Sequence, residues 1–425
     1  MSALPLDVLD PIVEHVAQGD NNTLSSTKAC SLVCRTFLPA CRRRIFGYIA
    51  LNDNYSYEES SPHFAWPRQN GNLSKFLRLL LKSPHIGEYI RSLTYRMLHD
   101  TVDWTGVDIE TFSRAFERIT RLEYLTFIRG YEDEHDPPVD WTDNPLCPAL
   151  RRLMYLPTLV GFTVYNCANF KLADIVQCRQ LKELDMHLLH LNSSIVSAES
   201  LPTSPLSLRK MHIGRRSMPV ADALLSIRCA DGEMFINMTE MRDLSFVIRT
   251  IDTFSTVRCL IEKSIRLSSL SISLDIGDFN LLDFHKISTL RSLTIGSTFN
   301  SSKSQNPDPF FGLVGELDRL QKSNNATTLE TIMVHVTIGS DSVAPADEEW
   351  GKLDEVLAVQ SGSDGGWPAL REVVLEVELI VCMIGRDENK MQRVIEDQFH
   401  RLRASNSVVF ESDVWTEIDC SSYDH

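Results

Sequence analysis

The sequence predicts an α/β chain: a curved parallel sheet built from repeated strand-and-helix units, with helices on its outer side and a short all-helical segment before it. Three observations carry this. One six-residue apolar pattern recurs along most of the chain, stretches of helical apolar spacing fall between its copies, and residues 1–50 hold three short helical stretches but no copy.

The pattern is apolar, two variable residues, apolar, one variable, apolar. Ten copies are present: IRSLTY (90–95), LEYLTF (122–127), LVGFTV (159–164), LKELDM (181–186), LRKMHI (208–213), MRDLSF (241–246), LSSLSI (267–272), LRSLTI (290–295), LETIMV (329–334) and LREVVL (370–375). Their starts lie 22 to 41 residues apart, the spacing of a repeat array. Each copy reads as a short strand whose fourth and sixth residues face a core and whose fifth faces water. Six of the fifth positions are Thr94, Thr126, Thr163, Ser245, Ser271 and Thr294, hydroxylated residues that suit the wet face of a strand.

Helices are expected between the copies. Leu73, Phe76, Leu77 and Leu80 share one helical face, as do Ile251, Phe254, Val257 and Ile261. FFGLVGELDRLQKS and EEWGKLDEVLAVQ read the same way. A parallel sheet needs such crossovers. The L-x-x-L-x-L core is similar to that of the leucine-rich-repeat solenoid in its irregular form. That family's ladder residue, an Asn or Cys three positions after the core, occurs once, at Cys167. Uneven curvature and another way of pairing backbone groups are therefore expected.

Before the repeats, Leu6, Leu9, Ile12, Val13 and Val16 form one helical stripe, and Ala29, Leu32, Val33 and Phe37 form a second. Pro39 is expected to end the second helix and open a third, PACRRRIFGYI. Three helices this short bury little surface alone and gain from a partner or from docking on the repeats.

LPLDVLDPIVEHV followed by TLSSTKACSLVCRTFLPACRRRIFGYIAL resembles the F-box motif of the type common in basidiomycete fungi. The resemblance rests on Leu4-Pro5, Asp7, Leu9, Ile12 and CSLVCRTF, and covers about residues 3–50. Pro11 inside the first helix and Phe37 in place of the usual tryptophan depart from the family pattern. The resemblance implies an F-box at 1–50, an irregular leucine-rich-repeat-like solenoid at 51–410 and an acidic, frayed tail at 411–425. It further implies a substrate-recruiting subunit of a Skp–cullin–F-box ubiquitin ligase. Leu4, Pro5, Leu9, Ile12, Leu32 and Val33 would meet the Skp adaptor, and through it a cullin, while the solenoid holds an unknown target protein. The alternative is an F-box-containing interaction scaffold working outside a ligase. Several of the six residues could equally belong to the internal core of the helical unit.

Composition limits the other classes. Net charge is −15, of which residues 1–50 contribute +1, and so acidic a surface repels phosphate backbones, so no nucleic-acid partner is expected. The longest apolar runs, FLRLLL and LIVCMI, fall short of a membrane span, and MSALPLDVLD has no basic leader, so an intracellular protein of cytoplasm or nucleus with reduced thiols is expected.

No phosphate loop, H-E-x-x-H, G-x-S-x-G or C-x-x-C occurs, so no enzyme activity and no cofactor are expected. Cys30, Cys34 and Cys41 are the sharpest metal candidates, but Pro39 breaks their helix and no fourth ligand follows, so no metal is expected. Arg42–Arg44 read as a solvated helix edge. Trp141, with Tyr55, Tyr57 and Trp66, is a weak candidate for a binding surface in long insertions. The outward strand positions Arg96, Ile128, Tyr165, His187, His212 and Glu376 are where a solenoid would read a target. The acidic face favours a basic segment on that partner.

Overall fold

The fourth and sixth positions of all ten motif copies, from Leu93 and Tyr95 to Val373 and Leu375, are no more than 2% exposed. The opening apolar residue of each copy, such as Ile90, Leu122 and Leu290, is buried as well. The pattern is therefore the core-facing line of a sheet, which the computed structural model shows to be parallel throughout. The structure describes residues 11–14, 23–33, 35–52, 73–97, 109–129, 138–142, 144, 146–191, 202, 204–274, 287–299, 310, 312–323, 328–339, 347–358, 366–381 and 388–418.

The chain forms two units, Met1–Leu206 with Ile227–Phe235, and Ser207–Ser226 with Ile236–His425. The first begins with helix at residues 11–14, then α1 (Thr23–Val33) and α2 (Leu38–Phe46). Pro39 sits in the first turn of α2, where its missing N–H is harmless. The small core of this helical part is Val13, Ala40 and Cys41, with Cys30, Phe37 and Ile45 packed around it. Five strands follow side by side, β1 (Tyr48–Asn52), β2 (Ser92–Met97), β3 (Tyr124–Arg129), β4 (Gly161–Phe170) and β5 (Glu183–Leu191), and the two-residue strand Val139–Asp140 pairs with the end of β4. They alternate with α3 (Leu73–Lys82), α4 (Ile109–Phe116), α5 (Cys147–Met154) and α6 (Leu172–Val176). Helix α2 leads through Gly47 into β1 and meets the 3-10 turn Pro84–Tyr89 that precedes β2.

The second unit orders β6 (Lys210–Ile213), β7 (Asp243–Ile248), β8 (Ser269–Leu274), β9 (Ser292–Phe299), β10 (Thr331–Ile338), β11 (Glu372–Val381) and β12 (Val409–Ile418) side by side. Helices α7 (Met218–Ser226), α8 (Phe254–Lys263), α9 (Leu313–Lys322), α10 (Asp347–Leu357), α11 (Glu388–Gln398) and α12 (His400–Arg403) connect them. In strands such as β7, β8 and β10, buried and half-buried residues alternate, so helices cover one face of the sheet. No helix of the described residues is long and apolar enough to cross a membrane.

Of the twelve strands labelled above, two lie outside the ten motifs. Strand β1 starts at Tyr48, so the sheet begins inside the segment expected to be purely helical. Strand β12 pairs along its whole length with β11, so residues 411–418 are an edge strand and not a frayed tail. The sequence hides β12 because Ser412 takes the position that Leu375 holds in β11, which breaks the motif, and Glu411 and Asp413 flank it.

The missing ladder residue has a backbone substitute. The carbonyl of the second motif residue accepts from two consecutive N–H groups of the next repeat. Arg91 O takes Glu123 N and Tyr124 N, Glu123 O takes Val160 N and Gly161 N, and Arg291 O takes Glu330 N and Thr331 N, all within 2.7 to 3.0 Å. The carbonyl before it, on the opening apolar residue, often receives a hydroxyl. Thr158 Oγ1 donates to Leu122 O at 2.7 Å, Thr289 Oγ1 to Leu267 O at 2.7 Å, and Thr328 Oγ1 to Leu290 O at 2.8 Å. Each of these threonines directly precedes the leucine that opens the next copy. The lone ladder candidate, Cys167, is a buried thiol whose Sγ lies 3.8 Å from Tyr165 O.

Candidate partner-binding surfaces

The helical part offers the first surface. Ala29, Leu32 and Val33 were expected as an inward stripe, yet all three face water, with Leu32 87% and Val33 74% exposed. Ile12 is 42% exposed. From α1 it is Cys30 that packs on the core of Val13, Ala40 and Cys41, and Thr27 is buried. Apolar spacing passes over a cysteine and a threonine, and so pointed to the wrong side of α1. Leu4, Pro5, Leu9 and Cys34, together with Tyr55, Tyr57 and Trp66, lie outside the described residues.

The second surface is the uncovered face of the first unit's sheet. Register places Asn52, Arg96, Ile128, Tyr165 and His187 in one row across β1 to β5. Four of the expected target-reading residues are therefore neighbours. Arg96, Tyr165 and His187 are half-buried, but Ile128 is only 6% exposed and serves packing, which corrects its reading as a contact residue. The Tyr165 and His187 rings stand 5.3 Å apart, and His187 Nε2 is 2.9 Å from Asp185 Oδ1. Four residues back along the strands, the Tyr124 ring lies across Gly161, where a Cβ would stand 2.4 Å from it. Burial and the neighbouring Glu183 raise the Tyr124 hydroxyl above its ordinary pKa.

Trp141, expected on a surface, belongs to the core. It is fully buried, its indole edge meets Phe127 and Phe170, and Nε1 donates to Asp174 Oδ2 at 2.7 Å. Arg151 Nε reaches the same oxygen at 2.9 Å, and the Tyr155 hydroxyl donates to Oδ1 at 2.6 Å. Burial pushes the nearby Cys147 and Cys178 thiols up to about 12, so both stay protonated and are poor nucleophiles.

The third surface is the uncovered face of the second unit's sheet. His212 lies beside Ser245 on β7, in a different row from Glu376 and five strands away, so the structure does not bring the two together. Across β8 and β9 the outward residues are small: Ser269, Ser271, Ser273, Ser292, Thr294, Gly296 and Thr298. On β11 and β12 they turn acidic, with Glu372, Glu376, Glu378, Glu411 and Asp413. His335 on β10 sits among them. Its Nδ1 is 3.3 Å from Glu376 Oε2, and its Nε2 is 3.6 Å from Glu378 Oε2 and 3.2 Å from Thr337 Oγ1. The Thr337 hydroxyl in turn donates to Glu378 at 2.9 Å. The Trp415 ring lies 5.6 Å from the imidazole. Sequence reasoning missed His335 and Trp415. His335 follows its motif at the same offset as Glu376, and Trp415 lies in the segment read as tail.

No family model and no curated protein matches the chain. Among solved structures, an internalin from Listeria monocytogenes is similar at 11% identity and a TM-score of 0.33, over 79% of this chain and 83% of that one. A Bacteroides fragilis protein is similar at 10% identity and a TM-score of 0.30, over 79% of this chain and 68% of that one. Likenesses this remote transfer no partner or substrate.

Proposed function

We propose that the chain is a protein-interaction scaffold of the F-box class: a substrate-recruiting subunit whose helical part docks on a Skp-type adaptor and whose strand faces hold a target, with no catalytic activity of its own. One observation carries the reading. Leu32 and Val33, at the end of α1 and inside the CSLVCRTF stretch, are displayed to water and take no part in the helical core of Val13, Ala40 and Cys41. Large apolar side chains exposed together on one helix end suit an interface. The F-box resemblance assigns the same two residues to the adaptor.

Co-purification with a Skp adaptor tests this. The full chain is expected to retain the adaptor, and a Leu32→Asp, Val33→Asp variant is expected to lose it while keeping its thermal unfolding midpoint. Equal retention by both, or none by the unaltered chain, contradicts the ligase reading. In the second case, target binding without the adaptor would favour a scaffold outside a ligase.

A further inference from the structure

The uncovered face of β8 to β12 has an unusual charge inventory. None of its outward strand positions is Lys or Arg. Glu376 and Asp413 stand directly opposite each other in register, as do Val374 and Glu411. Like charges opposed across two strands destabilise a sheet. Surfaces that tolerate such a pair normally intersperse cations, and here the candidate cation is the His335 imidazole, held between Glu376 and Glu378. Beside it Trp415 offers an aromatic face, which attracts guanidinium and ammonium groups. Towards β8 the surface drops to serine, threonine and glycine, leaving a low shelf on which an extended chain can lie.

We propose that His335, Glu376, Glu378, Asp413 and Trp415 form a docking site for an arginine- or lysine-bearing segment of a protein partner, in which His335 is a built-in competitor for the carboxylates. This rests on the reading of the strand face as a receptor, but not on the adaptor.

The groups facing His335 are Glu376 and Glu378 from β11, Asp413 and Trp415 from β12 beyond them, Thr337 on its own strand, and the uncharged Gly296 and Thr298 from β9. Its charged form is favoured by hydrogen bonds to Glu378 and Glu376, against the opposing effect of burial, so its pKa lies above the ordinary histidine value. Below that pKa the imidazolium occupies the two carboxylates. Above it they are released to an incoming cation, so affinity rises with pH. Charge complementarity favours this occupant over an acidic segment or a second copy of the same acidic face.

The test is fluorescence anisotropy of the full chain with a labelled arginine-rich peptide, whose charge does not change in the window used, at about pH 6 and about pH 8.5. No adaptor is present, so failure here leaves the helical docking surface untouched. The unaltered chain is expected to bind more tightly at the higher pH. His335→Gln is expected to bind at the lower pH as tightly as at the higher. Glu376→Gln with Glu378→Gln is expected to weaken binding about three- to tenfold. Thermal unfolding of each variant confirms that it is folded. Absence of peptide binding, an unchanged pH slope in His335→Gln, unchanged affinity in the double glutamine variant, or equal affinity for a glutamate-rich peptide each overturns the proposal.

Discussion

Asp174 is nearly sealed from water, yet it accepts from Trp141, Arg151 and Tyr155 at once. A buried carboxylate is tolerated only when its oxygens are satisfied, and three donors from the 141 loop and the α5 region satisfy this one. Asp174→Ala removes the shared acceptor, leaving an indole N–H and a guanidinium without their partner. The expected loss is about 3–5 kcal/mol, read from the shift of the thermal unfolding midpoint. Leu32→Asp at a fully solvated position is expected to change stability by no more than about 0.5 kcal/mol. A large loss there would mean that Leu32 is a core residue. The contrast shows where side-chain roles escape a sequence. A tryptophan in an acidic loop reads as surface until the aspartate that receives it is known.

At the scale of elements, the ten strands were legible because a core-facing line must be apolar at every second residue. Helices α3, α8, α9 and α10 were legible because their faces repeat with a period near four; shorter ones such as α5 and α6 were not read. The two end strands were not. Strand β1 places Ile49 and Leu51 in register with Leu93 and Tyr95, but in a stretch read as a third helix, and β12 has Ser412 where β11 has the core-facing Leu375. The direction of α1 was misread because its packing uses Thr27 and Cys30, which apolar counting passes over.

The threonine before the motif carries a prediction of its own. Thr158→Val keeps shape but leaves Leu122 O without its hydroxyl, with an expected cost of about 1 kcal/mol by urea unfolding. Across β10 and β11, His335 links stability to pH. Its folded pKa is raised, so its contribution is fully present below the unfolded value of about 6.5 and is lost as pH rises through the folded value. The difference in unfolding midpoint between the unaltered chain and His335→Gln is therefore expected to shrink between about pH 6 and about pH 8.5. A constant difference would show that the imidazole is not charged in the folded state.

For the whole molecule, the division of labour is between a small helical part that displays apolar residues and a sheet face that displays polar ones. The helical part buries Val13, Ala40 and Cys41 and leads through α2 into β1, while leaving Leu32 and Val33 uncovered. The strand faces differ between units. One carries an aromatic and histidine row at Tyr165 and His187, the other an acidic field at β11 and β12.

Calorimetric titration of a purified Skp-type adaptor into the full chain tests the central claim most directly. The account predicts saturable one-to-one binding with a negative heat-capacity change from apolar burial, abolished by Leu32→Asp with Val33→Asp and unaffected by Glu376→Gln with Glu378→Gln. Absence of heat with the unaltered chain, or undiminished binding by the Leu32 and Val33 variant, would contradict it.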